Sequence, residues 1–306
     1  MNNTEKKHGW ANTVAYGNSY KTMDIASKST GLLTNELLYR TLSHSNTERL
    51  AESFLINTRV HRNDWASESS IANYFTDNNY ITLSMRGKGE NKHDQIKLPP
   101  PISLTMNLKE VFLQRRSVRQ YTGDEMDLNY LSTLLKSGSG ITGEGRPTLK
   151  EGGDVGIKFR THSSAGGLYP IDIYVVALNV KGLKRNVYRY NPYEESLYPC
   201  GNPDNVEKIL QGFAVTEESI SIRRSNVTLL FIGQPWRVMR KYGNRGMRFV
   251  FMEAGAIAQN IGLATTALGY GSTECAATYD SEIHDALQID GVFQTLVHSM
   301  IIGCKG

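Results

Sequence analysis

Cysteine is scarce in this sequence, and its spacing suits neither a disulfide framework nor a zinc site. Of 306 residues only three are cysteines, Cys200, Cys275 and Cys304, far apart and odd in number. No CxxC pair and no HExxH motif occurs, and the histidines are not spaced as metal ligands. We therefore expect reduced thiols and no bound metal.

Long apolar runs and long runs of one charge are also missing. No stretch reaches the roughly 18 consecutive apolar residues of a membrane span, and the first residues lack the apolar core of a signal peptide. The most hydrophobic stretch, 249–271, contains Glu253, Gln259 and Asn260, which indicates a helix buried in protein. A net charge of +4 without a Lys/Arg run gives no case for nucleic-acid binding. The sequence predicts a cytoplasmic protein with neither a membrane nor a nucleic-acid partner.

What is present is enough apolar sequence for a substantial core, since 40% of the residues are hydrophobic. Periodicity predicts helices near 108–121, 125–137 and 246–268, strands at 171–178, 227–232 and 295–302, and a hairpin around Asn191-Pro192. This mixture without a βαβ repeat predicts an α+β fold. The polar stretch before three prolines at 99–101 predicts an N-terminal extension over 1–105 and a main domain over 106–306.

A basic cluster follows the helical pattern LKEVFLQ. It comprises Arg115, Arg116, Ser117 and Arg119. Guanidinium groups grip phosphate oxygens in a bidentate way, and a serine hydroxyl adds a hydrogen bond. A solvated basic helix end explains the same residues, so the spacing leaves both interpretations open.

The segment HSSAGGLYP, 162–170, precedes a predicted strand. Small residues and glycines let the backbone approach a flat ligand and point N–H groups at it. An ordinary tight turn is the alternative. Neither GxGxxG nor GxxxxGK[ST] is present, so the common nucleotide loops do not explain the segment. The scattered glycines over 143–156 predict a mobile loop.

Lys241 and Tyr242 precede a helix that is rich in small residues. A desolvated lysine or a tyrosine hydroxyl can move a proton during a redox step. A surface Lys-Tyr pair is the alternative, and core packing explains the small residues as well as a cofactor does.

Taken in order, RRSVRQY, SSAGGLYPIDIYVV, RKYGNRGMRFVFMEAGAIAQN and GYGS resemble the streptolysin-type azoline dehydrogenase branch of the nitroreductase-like superfamily. The resemblance covers about residues 105–306. It implies an α+β, nitroreductase-like sandwich that binds FMN at the interface of an intertwined homodimer, with a mainly helical N-terminal extension. The chain departs from the family where Pro-Ser is often found, at Ser163-Ser164, and where an aromatic residue is common, at Met247.

The resemblance also implies roles for individual residues. The arginine and serine positions that hold the flavin's phosphate and polar ring edge match Arg115, Ser117 and Arg119, with Arg116 alongside. The loop that lies against the cofactor matches Ser163, Ser164, Ala165 and Gly166. Further cofactor-binding positions are Gln259, Gly269 and Gly271, and the catalytic pair is Lys241 and Tyr242.

The implied reaction is oxidation of thiazoline or oxazoline rings to thiazoles or oxazoles in a ribosomally made peptide. The implied partners are the precursor peptide, a YcaO-type cyclodehydratase and its leader-binding partner protein, with residues 1–105 as a docking lobe. Two alternatives stay open. One is an NAD(P)H-dependent nitroreductase or quinone reductase, and the other is a non-catalytic scaffold of the peptide-modifying complex.

Overall fold

The structure is a computed structural model that describes residues 50–60, 95–145 and 156–306. Its contacts divide the described residues into two units. The smaller unit contains residues 50–60 together with Met239–Arg245. The larger unit contains the remaining described residues from 95 onward and carries the sheet. No helix in these described parts of the chain is long and apolar enough to cross a membrane.

The larger unit is built on a sheet of seven antiparallel strands in the order β1-β6-β5-β4-β7-β9-β8. A separate hairpin, β2-β3, stands outside it. The strands are β1 (Ile96–Lys97), β2 (Ile141–Gly145), β3 (Ile157–Arg160), β4 (Ile171–Ala177), β5 (Asn186–Asn191), β6 (Ser196–Pro199), β7 (Val227–Gly233), β8 (Gly271–Glu274) and β9 (Thr295–Gly303).

Two of the described helices begin at a side-chain cap. Asn107 accepts a hydrogen bond from the Glu110 backbone N–H, and Asn202 forms a reciprocal capping box with Asn205 before Pro203. The described helices are α1 (Leu50–Asn57), α2 (Leu108–Gln114), α3 (Leu128–Ser139), α4 (Pro203–Gln211), α5 (Pro235–Tyr242), α6 (Gly246–Ala267) and α7 (Asp280–Leu287).

The core lies on both faces of the central strands. Every residue of β7 is buried, which requires cover on each side of the sheet. On one face, Tyr174 of β4 and Leu230 of β7 pack with residues of α4 and α7. On the other face α6 crosses the sheet closely, since a Cβ at Gly262 would lie 3.4 Å from the Met300 side chain. The domain is therefore a sandwich of helices around one sheet.

The register places three strand ends together. Ile171 at the start of β4 pairs with Gly233 at the end of β7, which pairs with Thr295 at the start of β9. Strand β8 runs toward this end but stops short of it, because its last residue, Glu274, pairs with Met300, five residues after Thr295. The sheet therefore brings the loop before β4 and the start of α5 together at one end.

The α+β class, the three predicted strands, the hairpin and the helices starting near residues 125 and 246 are confirmed, with ends shifted by a few residues. The first helix is shorter than the predicted 108–121. It ends at Gln114 because the residues after Arg115 bridge to β8. The first three residues of the predicted mobile loop at 143–156 belong to β2 instead, β3 begins directly after it, and 146–155 lie outside the described residues.

Two further differences from the sequence prediction concern Lys241 and Tyr242, and the end of the predicted N-terminal extension. Lys241 and Tyr242 end a helix of their own, α5, instead of standing at the entrance of the next helix. Residues 96 and 97, predicted to belong to the extension, form β1 and pair with β6. The Ser132 hydroxyl donates to the carbonyl oxygen of Pro99, so the proline run is anchored on α3. Most of the predicted extension lies outside the described residues.

Candidate active site

The basic cluster lies along the edge strand β8. Ser117 forms a bridge to Ser272, and the backbone N–H of Val118 donates to the Ser272 carbonyl oxygen at 2.8 Å. A Cβ at Gly271 would lie only 2.6 Å from the Val118 side chain, so this glycine allows the two segments to touch. The structure thus brings Arg115 and Ser117 beside the predicted cofactor position Gly271.

The side chains of the other two arginines of the cluster lie in different surroundings. Arg116 is exposed, and its Nη1 donates to the carbonyl oxygens of Leu113 and Arg115, closing the end of α2. Arg119 is also exposed, and its carbonyl oxygen accepts a hydrogen bond from the Ser221 N–H at 2.9 Å. The Arg119 guanidinium is therefore solvent-accessible, whereas that of Arg116 already caps its own helix.

An acid-base pair at the end of β8 was not predicted from the sequence. The Nε2 atom of His298 lies 2.8 Å from Oε2 of Glu274, and the His298 ring stacks on Phe231 at a centroid distance of 5.7 Å. The hydrogen bond to His298 lowers the pKa of Glu274, and the positive charge of Arg115 lowers it further. The basic cluster and this pair therefore form one electrostatic site.

In the loop before β4, some of the residues predicted to contact the ligand are exposed to solvent. Ser163 and Gly166 are exposed, and Ser164 and Ala165 are half-buried. Gly166 and Gly167 have φ values of 64° and 67°, a left-handed conformation that glycine adopts without strain. The loop can therefore present backbone groups and the Ser163 hydroxyl to a ligand.

Tyr169 holds this loop in shape, at an uncommon φ of 46° for a non-glycine residue. Its N–H donates to the Ser164 hydroxyl at 2.9 Å, and its own hydroxyl accepts from the Arg160 N–H at 3.0 Å. Its carbonyl oxygen accepts from Arg237 Nη1 at 3.1 Å. Burial raises the pKa of Tyr169, so the hydroxyl stays protonated at neutral pH. These three hydrogen bonds hold the C-terminal end of the loop in position.

A small cavity lies behind the loop, with a volume of about 120 Å³. Its lining includes Lys158, Leu168, Tyr169, Tyr193 and Arg237. Pockets for organic ligands usually measure about 300–1,000 Å³, so this cavity is too small for a flavin.

Lys241 and Tyr242 lie in the smaller unit, at the end of α5. The Lys241 side chain is only 2% exposed, and burial lowers the pKa of its amino group. Its Nζ lies 5.3 Å from the centroid of the Tyr242 ring. A lysine in this setting gives up its proton more readily than an exposed one, as proton transfer near neutral pH requires.

The structure says less about the roles of the remaining predicted positions, Gln259 and Gly269. Gln259 is exposed on α6, while its neighbour Asn260 donates to the Thr161 carbonyl oxygen at 3.3 Å, just before the loop. Gly269 has a φ of 81° and follows the end of α6, where a left-handed glycine commonly stops a helix. No cluster of three or more His, Cys, Asp or Glu side chains suited to a metal ion occurs within the described ranges.

Comparison with known proteins identifies the family. A model of the nitroreductase family matches residues 112–304, which is more than half of the chain. The chain belongs to the nitroreductase family. A nitroreductase-like protein of Methanocaldococcus jannaschii, MJ1384, is 34% identical over 196 residues, covering 64% of this chain and 91% of its relative.

A second relative is a peptide-processing protein. The microcin B17-processing protein McbC of Escherichia coli is 27% identical over 143 residues, which cover 45% of this chain and only 51% of McbC. The solved E. coli microcin synthetase complex McbBCD contains a chain matched with a TM-score of 0.51 at 18% identity, covering 80% of this chain and 96% of that one. A nitroreductase-like protein of Ralstonia eutropha matches with a TM-score of 0.55 at 22% identity, covering 72% and 94%. These structural matches confirm the nitroreductase-like fold.

Proposed function

We propose that this nitroreductase-family oxidoreductase binds FMN and oxidises azoline rings of a ribosomally made peptide to azoles in the cytoplasm. The observation that carries the proposal is the buried Lys241 beside Tyr242, with its lowered pKa. Similarity to McbC, a microcin B17-processing protein, supports a role in peptide modification.

The basic cluster and the loop before β4 fit FMN by their chemistry. Arg115 and Arg119 would bind the phosphate together with the Ser117 hydroxyl, because guanidinium groups pair with phosphate oxygens. The exposed, left-handed Gly166 and the Ser163 hydroxyl would lie against the flat ring system. Gly271 would act indirectly, by keeping Val118 and the basic cluster close to β8.

Conversion of an azoline to an azole removes two electrons and two protons from the ring. When bound, FMN supplies the two-electron acceptor. The chain must supply a base for the ring proton. Lys241 Nζ, in its neutral form, would accept that proton, and the Tyr242 hydroxyl would orient the ring or relay the proton outward. The protein's own part is therefore orientation and proton management.

A homodimer would complete the site. Apolar side chains are exposed on the adjacent helices α2 and α6, where Leu113 is 64% and Met252 is 69% exposed. Leu108, Phe112 and Phe251 belong to the same surface. Exposed apolar patches of this kind mark association surfaces, and a two-fold axis would pair the patch with itself. We also propose that residues 1–105 dock the peptide leader, a YcaO-type cyclodehydratase or its leader-binding partner.

A peptide carrying a synthetic thiazoline ring tests the reaction directly. With FMN-loaded protein we expect each ring to lose two hydrogen atoms, read by mass spectrometry, in the presence of oxygen and without NAD(P)H. The chromophore released by heating should have the mass of FMN. A protein that binds FMN but leaves the ring intact would overturn the proposed reaction.

A reductase that uses NAD(P)H is the second candidate, favoured by the 34% identity to the nitroreductase-like protein MJ1384. Addition of NADH to the FMN-loaded protein under nitrogen separates the two. Rapid bleaching of the flavin absorbance near ~450 nm, followed by reduction of a nitroaromatic compound, would favour the reductase.

A further inference from the structure

His162 and Glu253 form a pair inside the protein, directly beneath the loop that begins at Ser163. His162 Nε2 lies 3.3 Å from Glu253 Oε1, and the two side chains are 0% and 2% exposed. His162 Nδ1 lies 2.9 Å from the carbonyl oxygen of Gly138, at the end of α3. The imidazole therefore links α3, the loop and α6.

The partners of the imidazole determine its tautomer. A carbonyl oxygen only accepts hydrogen bonds, so Nδ1 must carry a proton and donate it to Gly138. The contact between Nε2 and Oε1 then needs one more proton, because a bare nitrogen and a bare carboxylate oxygen would repel each other. With that proton shared between them, His162 and Glu253 together carry no net charge.

Removal of the shared proton would leave a charged carboxylate in a dry environment. Among the described residues Glu253 Oε2 is buried without a hydrogen-bond partner, so nothing on that side would compensate the charge. Burial of an uncompensated charge is strongly unfavourable. The contact with His162 therefore matters for Glu253, because its other carboxyl oxygen has no hydrogen-bond partner among the described residues.

The pair lies where it can control the loop. The ring of His162 meets the ring of Tyr169 edge to face at 5.4 Å, and the Tyr169 N–H donates to the Ser164 hydroxyl. His162 thus supports both ends of the segment that would contact the cofactor. The sequence alone suggested no role for either residue, since 91 positions separate them.

We propose that the proton-sharing pair of His162 and Glu253 positions the loop 163–166, and thereby sets the affinity for FMN without touching it. This inference rests on the proposed FMN site. Both residues are positioning residues, and the shape of the loop is what they determine.

Two substitutions of similar size separate a positioning role from mere packing. In Glu253→Gln the side-chain amide still donates to Nε2 of a neutral His162, so the link survives. In Glu253→Leu the donor is lost and the imidazole nitrogen is left unpaired. We expect the Kd for FMN, measured by fluorescence titration of the flavin-free protein, to rise roughly tenfold in Glu253→Leu and to stay near the parent value in Glu253→Gln.

Thr265→Val is the matched control, since Thr265 is fully buried in the same helix and its hydroxyl donates to the Ile261 carbonyl oxygen at 2.7 Å. It lowers stability without altering the loop, and its Kd for FMN should not change. An equal rise of Kd in all three variants would assign the effect to general destabilisation and overturn the proposal.

Hydrogen exchange of the backbone amides at 163–169, measured without FMN, keeps this test independent of the proposed function. Faster exchange in Glu253→Leu alone supports the positioning role even if the parent protein binds no FMN, a result that would overturn only the proposed function. Unchanged exchange overturns the positioning role. Should Glu253→Leu fail to fold, the ring nitrogens of His162 in the parent protein decide by ¹⁵N NMR, because an unprotonated Nδ1 contradicts the pair.

Discussion

The carboxylate of Glu274 accepts a hydrogen bond from the imidazole of His298 across the β8-β9 ladder, with 2.8 Å between Oε2 and Nε2. The two residues lie beside the basic cluster, since Ser117 bridges to Ser272, two residues before Glu274. An ionisable pair in this position influences both the stability of the sheet edge and the charge of the site.

The pH dependence of this pair follows from the lowered pKa of Glu274. A group with a lowered pKa in the folded state stabilises the fold above its unfolded pKa and loses that contribution as the pH falls through the folded value. His298→Phe should therefore destabilise the protein more at neutral than at acidic pH. The difference should be about 1 kcal/mol or less, because Glu274 is half exposed.

Urea unfolding at the two pH values measures the difference, and ¹³C NMR of the Glu274 carboxyl follows its titration. Glu282→Gln, at an exposed position on α7, serves as the control and should alter neither result. A Glu274 titration that is identical in the parent protein and in His298→Phe would contradict the assigned cause.

Close packing between Gly271 and Val118 predicts the outcome of adding one methyl group. Gly271→Ala would place a Cβ 2.6 Å from Val118 and push the basic cluster off β8. We expect a loss of about 1–3 kcal/mol in the free energy of unfolding and weaker FMN binding. Gly156→Ala is the control, since a Cβ there meets no atom within 4 Å. If Gly271→Ala binds FMN as tightly as the control, the cluster does not depend on this contact.

Substitution of the proposed catalytic pair, Lys241 and Tyr242, should separate cofactor binding from turnover. Lys241→Met and Tyr242→Phe should still bind FMN, while azole formation falls by roughly 10²–10⁴-fold in Lys241→Met, the usual contribution of a general base. Because the pKa of Lys241 is lowered, the parent rate should rise with pH as the neutral amine accumulates. That rise should vanish in Lys241→Met. Lys208→Met, on the exposed side of α4, should leave rate and pH profile unchanged.

The exposed apolar surface on α2 and α6 predicts the oligomeric state. The parent protein should sediment as a dimer, and Phe112→Glu combined with Met252→Glu should give a folded monomer with reduced FMN content. Val292→Glu changes an apolar side chain that is 70% exposed in the loop before β9, outside α2 and α6, and should remain dimeric. A monomeric parent protein that binds FMN fully would refute an interface site.

Much of the sheet was predictable because its central strands are short apolar runs bounded by turn residues, as in 171–178 and 227–232. The helix starting near residue 246 was equally easy to predict, since its small and apolar residues recur over many turns. Helix α5 was missed because its eight residues are dominated by charged and aromatic side chains. Its burial depends on tertiary packing, which periodicity does not report.

The site was predictable only as separate segments. Motif order identified the basic cluster, the loop and the Lys-Tyr pair, but local propensity suggested that the cluster would be helical. The pairing of Ser117 with Ser272, more than 150 positions away, overrides that propensity. Glu274 and His298 meet only because β8 and β9 pair in one particular register, and a shift of one residue would separate them.

The position of β9 in the sheet has a consequence for how the protein is made. Strand β9 is the last of the strands in the chain, yet it lies between β7 and β8. Until residues 295–303 have left the ribosome, β8 has no neighbour in the sheet and β7 exposes a bare, apolar edge. A nascent chain grows by about 5–20 residues per second, so this edge stays open for seconds on each chain. Chaperones that shield strand edges during translation should therefore raise the yield of this protein more than those that act after its release.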